Sequence, residues 1–198
     1  MSQYKQTIAA FDFDGTITSK DTLFDFIAFY FGTKKLLTGL IILSPILILY
    51  KLGFIKNNVA KQKLFSYFFR NKSIIQFNEN CNKYSKRINS IIRKEIINKI
   101  RWHQEQGHIT IIISASIKNW IEPWATEMKF DKILATEISI TNNTITGEFS
   151  SPNCYGQEKV NRLLSEYPAK NEYILYAYGD SNGDKQLLEL ADYPTLIK

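Results

Sequence analysis

The chain has 198 residues, 44% of them apolar, enough for one sizeable core, so a single catalytic domain carrying a subdomain is expected. Only Cys81 and Cys154 are present, and the start, MSQYKQTIAAFDFDG, lacks the basic and apolar regions of a secretory leader, so no disulfides and a reducing, cytoplasmic compartment are expected. The formal charge of +6 is uneven: Thr18 to Gln106 carries 16 Lys/Arg against 5 Asp/Glu, or +11, and the remainder 9 against 14, or −5.

Thr7 to Phe13 is a short apolar run ending in acidic residues and Gly15, the pattern of a buried parallel strand feeding a functional loop. The following residues 18–106 read as almost wholly helical and are too many for a simple crossover. They are expected to form a helical cap inserted into a core made of residues 1–17 and 107–198. Inside the cap, Leu36 to Tyr50 is uncharged, and helices are expected over Asn57 to Arg70 and Ser73 to Gln106. A second strand, His108 to Ser114, follows the break at Gly107, and a helical pattern runs from Ile117 to Met128. Lys132 to Ala135 reads as a buried strand, and Glu137 to Ser150 as a hairpin turning at Asn142 and Asn143. A helix over Gly156 to Tyr167, a strand over Glu172 to Tyr178 and a helix over Gly183 to Ala191 complete the chain. This alternation predicts an α/β fold with a Rossmann-like, doubly wound, mostly parallel sheet, whose ligands lie at the carboxyl ends of its strands.

The segment FDFDGT sets Asp12 and Asp14 two apart at a strand end, so both side chains leave in a similar direction toward one cation. One can attack while the other handles protons. Phosphoryl transfer needs a nucleophile, a metal, cationic or hydroxyl clamps, and an acid for the leaving oxygen. Ser114, within SAS, offers a hydroxyl and the following amides of Ala115 and Ser116 to a phosphoryl oxygen near a helix start. A helix N-cap is the competing use of Ser114 or Ser116. Lys159, in GQEKV, lies in the first turn of a helix, within reach of the sheet edge. GDSNGD provides Asp180, suited to a hard cation, and Asp184, placed to orient a neighbour or add charge. Oxygen donors point to magnesium rather than zinc. His103 and His108 lack partners at ligand spacing and read as surface or packing residues.

In this order DFDGT, Ser114, Lys159 and GDSNGD resemble the haloacid dehalogenase superfamily of phosphatases over nearly the whole chain. The resemblance implies that Asp12 becomes phosphorylated, and that Asp14 protonates the leaving group and then activates water. It implies that Ser114 and Lys159 bind phosphoryl oxygens, and that Mg2+ sits between Asp12, the backbone carbonyl of Asp14, and Asp180. Asp184 would steady Lys159. SASIKNWIEPWA, LATEISITNNTITGEFSSPNCYGQEKV and YGDSNGDKQLLELAD are similar to subfamily IB, the phosphoserine phosphatase branch, and to the bacterial phosphatidylglycerophosphatase C group. Two departures count against serine phosphate as substrate. Asp21 stands where phosphoserine phosphatase has a Glu reading the substrate amine, and Gly183 stands where an Asn is expected. Asp21 and Arg70 are the cap's candidates for contacting the leaving group.

Leu36 to Tyr50 holds 15 uncharged residues flanked by Lys34, Lys35 and Lys51. As a helix this run would reach only roughly 22 Å, short of a hydrocarbon core of about 30 Å. Pro45 is expected to kink or break it. A bent apolar hairpin dipping into one leaflet fits these facts, and a buried cap core is the other packing. The basic helices that follow suit an anionic membrane surface, so the expected substrate is a lipid phosphate such as phosphatidylglycerophosphate, with peripheral attachment to the cytoplasmic membrane. A soluble phosphatase of small metabolites is the alternative. A nucleic-acid surface built on Tyr67, Tyr84 and Trp102 is a third reading; without a recognisable motif, no nucleic acid is expected.

Overall fold

The computed structural model describes residues 5–198. Strand β1 (Gln6–Phe11) lies at the centre of a five-stranded sheet, between β2 (Ile109–Ile117) and β6 (Tyr173–Gly179). Outside these run β3 (Lys132–Thr136), beside β2, and β7 (Tyr193–Leu196), beside β6; every pairing is parallel. A central parallel strand must be apolar on both faces, and Ile8, Ala9, Ala10 and Phe11 are all fully buried. The two-residue period divides them. Ala9, Phe11 and Ile112 face a large apolar cluster shared with the cap, whereas Ile8, Ala10, Ile111 and Ile113 face a smaller one. Helices α7 (Gln157–Glu166) and α8 (Lys185–Leu190) close the smaller side through Val160, Leu163 and Leu187.

The chain lays β2 and then β3 on one side of β1 before it crosses to β6 on the other. This topological switch opens a crevice at the carboxyl ends of the strands. The connection from β1 to β2 carries α1 (Thr22–Phe31), α2 (Thr33–Lys51), α3 (Asn57–Phe69), α4 (Ile74–Ile88) and α5 (Lys94–Glu105). Its two ends meet. Thr18 bridges Ile92, Ser19 N donates to the Ile91 carbonyl at 2.7 Å, and Arg93 N donates to the Ile17 carbonyl at 2.8 Å. This stitch is why the helix expected from Ser73 to Gln106 divides in two. Beyond it α5 packs against the sheet, where buried His103 meets the Tyr178 hydroxyl at 2.9 Å.

Aromatic rings fill the cap: Phe26 contacts Trp120 of α6 (Lys118–Glu127) at a centroid separation of 5.0 Å, and Phe69 contacts Phe77 at 5.1 Å. Each buried ring contributes about 1.5–3 kcal/mol relative to exposure. Strands β4 (Ile138–Thr141) and β5 (Thr144–Phe149) form the expected hairpin, with Asn142 and Asn143 at φ of 49° and 59° in its turn. The hairpin packs on α3 through Phe149 and Phe65, whose rings lie 5.7 Å apart.

Helix α2 corrects one expectation. It runs unbroken through Pro45, not as a bent hairpin. Pro45 is exposed, so its ring meets solvent, and the backbone bond it removes is the one interruption that the apolar packing must outweigh. Tyr84 is buried and donates to Asp25, which removes it from any stacking surface.

Candidate active site

The carboxyl ends of β1, β2 and β6 open into a cavity of about 410 Å³. Asp12 follows β1, and its amide donates to the Tyr178 carbonyl of β6 at 2.9 Å, which fixes the carboxylate over the switch point. The chain then turns sharply through Gly15, at φ +78°. A Cβ there would come within 2.2 Å of an Asp180 carboxylate oxygen, so only glycine allows this approach.

Lys159, buried in the first turn of α7, reaches Asp12 Oδ1 at 2.6 Å and Asp184 Oδ1 at 2.5 Å. Burial works against its charge, but the two carboxylates outweigh that penalty and raise its pKa. Burial likewise pushes the Asp12 carboxyl up to about 7, opposed by Lys159 and supported by the charges of Asp184 and Asp14. Asp184 is held on its other oxygen, Oδ2, by the amides of Asp180 and Ser181 at 3.2 and 3.1 Å and by the Ser181 hydroxyl at 3.0 Å. Among the described residues no hydrogen bond reaches Asp12 Oδ2.

Asp14 lines the same cavity and is held by α1 and β2. Its Oδ1 accepts from the amide of Thr22 at 2.8 Å and from the Thr22 hydroxyl at 2.5 Å, at the N-terminus of α1, and its Oδ2 accepts from Ser116. Neither Ser114 nor Ser116 caps α6; Ile117 occupies that position without a side-chain bond. The pairing of β2 with β3 slips between Ser114 and Ile117, which turns Ser114 toward the cavity while the Ser116 amide donates to its hydroxyl at 3.1 Å.

Carboxylate oxygens of Asp12, Asp180 and Asp184 lie within 4.8 Å of one another. An all-oxygen donor set of this kind fits a hard divalent cation such as Mg2+. Burial raises the Asp180 pKa, with the Asp184 charge adding to the shift and Thr16 and Lys159 opposing it.

Of the cap candidates, Asp21 lines the cavity and caps α1 by accepting from the Leu23 amide at 2.9 Å. Its pKa rises to about 6, through burial first and the Asp14 charge second. Arg70 does not line the cavity: its guanidinium lies beside β5, 3.9 Å from Glu148. Ala115 lines the cavity, and its carbonyl accepts from Thr136 and from Lys61 at 2.7 Å each. Lys61, on α3, is a partly buried cavity cation that the sequence did not reveal. Burial lowers its pKa while the charges of Asp14, Asp21 and Asp12 oppose the shift. An isolated lysine in a basic helix carries no signal of this role.

Packing does not need two buried carboxylates and a buried lysine beside a third, half-buried carboxylate, and such a group costs stability. The cluster marks an α/β enzyme built around a charged crevice. The chain belongs to the haloacid dehalogenase-like hydrolases, whose match covers residues 9–189. Protein CicA of Caulobacter vibrioides is 27% identical over 195 residues, or 96% of this chain and 85% of CicA. A solved protein of unknown function from Bordetella pertussis Tohama I superposes with a TM-score of 0.83 at 17% identity, over 97% of this chain and 90% of that one. A phospho-aspartyl intermediate analogue of phosphoserine phosphatase gives 0.68 at 18% identity, over 94% and 84%. These likenesses establish the fold.

Proposed function

We propose that this hydrolase cleaves phosphate monoesters through an aspartyl phosphate on Asp12, with Mg2+, and that its substrate is a lipid phosphate such as phosphatidylglycerophosphate. The chemistry is carried by one observation: Asp12, Ser114, Lys159 and Asp180, from separate elements, line a single cavity with Asp14. An Asp12 carboxylate oxygen attacks phosphorus, the ester P–O bond breaks, and Asp14 delivers a proton to the departing alcohol oxygen. Water then attacks the phosphorus of the aspartyl phosphate and gives its proton to Asp14, which frees Asp12 and inorganic phosphate. Lys159 and Ser114 hold the phosphoryl oxygens throughout. Bound by Asp12, Asp180 and the Asp14 carbonyl, Mg2+ would neutralise charge on those oxygens.

The apolar part of the cavity lining supports the lipid reading. Leu23, Phe24, Leu47, Tyr50 and Leu64 form an apolar wall, which suits an alkyl chain better than the charged groups of an amino acid. Asp12→Asn should abolish turnover of every ester while the protein stays folded. Wild type with Mg2+ is expected to prefer a lipid phosphate in mixed micelles over serine phosphate or a sugar phosphate. Faster turnover of a soluble metabolite, unchanged by detergent, would contradict the lipid assignment and leave the aspartyl mechanism standing.

A further inference from the structure

The phosphatase chemistry leaves the longest apolar element unexplained. Helix α2 carries two apolar stripes, each at helical spacing. Leu36, Gly39 and Leu43 are buried; at Gly39 the backbone lies so near α3 that a Cβ would fall 2.2 Å from the Phe68 ring. The opposite stripe, Leu37, Ile41, Ile42, Ile48 and Leu49, is exposed, Ile41 to 73%. Exposure continues into the following turn, where Leu52 and Phe54 stand at 65% and 78%. A contiguous apolar face of this kind on a protein surface marks an interaction site.

Its surroundings name the partner. Between Asp25 and Glu79 the chain holds eight Lys/Arg and no Asp/Glu. Lys34 and Lys35 flank one end of the exposed stripe, Lys51 and Lys56 the other, and all four are exposed. A second copy of the chain seated here would set cations against cations. An anionic lipid surface offers both halves of the match, hydrocarbon for the stripe and headgroup charge for its rim.

We propose that α2 and the turn after it lie in the plane of an anionic bilayer surface, with the exposed stripe immersed. By length and composition α2 could cross a membrane, but its inner stripe is docked on the protein body, so only the outer face is free to enter lipid. Leu47 and Tyr50 of the same helix line the active-site cavity, which places the apolar wall of that cavity directly behind the immersed face. The docking concerns where the enzyme works and stands whatever ester it cleaves.

The test is co-sedimentation of the full chain with vesicles of phosphatidylcholine alone and of phosphatidylcholine with 30% phosphatidylglycerol, at low and high salt, beside hydrolysis of p-nitrophenyl phosphate. Wild type should bind the anionic vesicles and release as salt rises. Ile41→Asp with Ile48→Asp should weaken binding by about tenfold or more while soluble-ester hydrolysis is unchanged. Should that pair misfold, Leu52→Ser with Phe54→Ser serves in its place. No binding to anionic vesicles by a protein active on the soluble ester overturns the proposal. A wild-type dimer that becomes monomeric in the variants also overturns it, by showing that a second copy covers the face.

Discussion

At the residue scale, the site depends on short-range geometry around Asp12. Lys159 pairs with it at 2.6 Å with both side chains buried, where an ion pair is stronger than in water and an unpaired charge far more costly. Gly15 illustrates how tightly this is set, since its φ of +78° and the neighbouring Asp180 each exclude a side chain. Gly15→Ala should therefore displace Asp180 and lower turnover by about a hundredfold or more, because misplacement near 1 Å costs that much. Circular dichroism of the variant should show the fold retained, and unchanged steady-state kinetics would refute the positioning role. Most of these residues were legible in the sequence because each ends a strand with a polar cluster, as FDFDGT and GDSNGD do. Lys61 and Thr22 were not. Their roles arise from α1 and α3 folding back over the crevice, a relation that no local spacing encodes. Arg70 was misassigned for the same reason, since the hairpin that takes it away from the cavity lies far along the chain.

At the element scale, the cap is tied together by ion pairing as well as by aromatic packing. Asp25 of α1 accepts two bonds from Arg87 of α4, both at 2.7 Å, and one from the Tyr84 hydroxyl at 3.0 Å. The bonds from Arg87, with help from Tyr84, hold the Asp25 carboxyl below its ordinary range. A carboxylate whose pKa is depressed in the fold stabilises above its unfolded value near 4, and that stabilisation is lost as pH falls through the lowered one. Asp25→Asn should cost about 2 kcal/mol at pH 7, less than a fully buried pair because Arg87 is half exposed, and the deficit should shrink below about pH 4. Thermal denaturation across that range would show it; a deficit independent of pH would mean the loss is one of packing. Strong periodic elements were readable, including β1, the hairpin and α7. The division between α4 and α5 was not, because it is imposed by the antiparallel bridge back to Thr18, and β7 was hidden by Pro194, which only an edge strand accommodates.

At the scale of the whole molecule, charge and hydrophobicity are sorted in the same direction. The basic, acid-free stretch surrounds the exposed stripe of α2, while Asp12, Asp180 and Asp184 gather at the carboxyl edge of the sheet. One apolar cluster runs from β1 through the cap to α6, so the cap is continuous with the core rather than hinged above it. The cavity joins these regions, since its lining includes Asp12 and Asp180 at the sheet edge and Leu47 and Tyr50 of α2.

All of this depends on phosphorus passing through Asp12. Rapid quenching of the Mg2+-loaded enzyme during turnover of p-nitrophenyl phosphate, followed by borohydride reduction and peptide mass mapping, reads that step directly. The account predicts reduction of the acyl phosphate to homoserine at position 12, and only while substrate is present. Turnover that proceeds with Asp12 unmodified, or with the phosphoryl group recovered on another side chain, would contradict it.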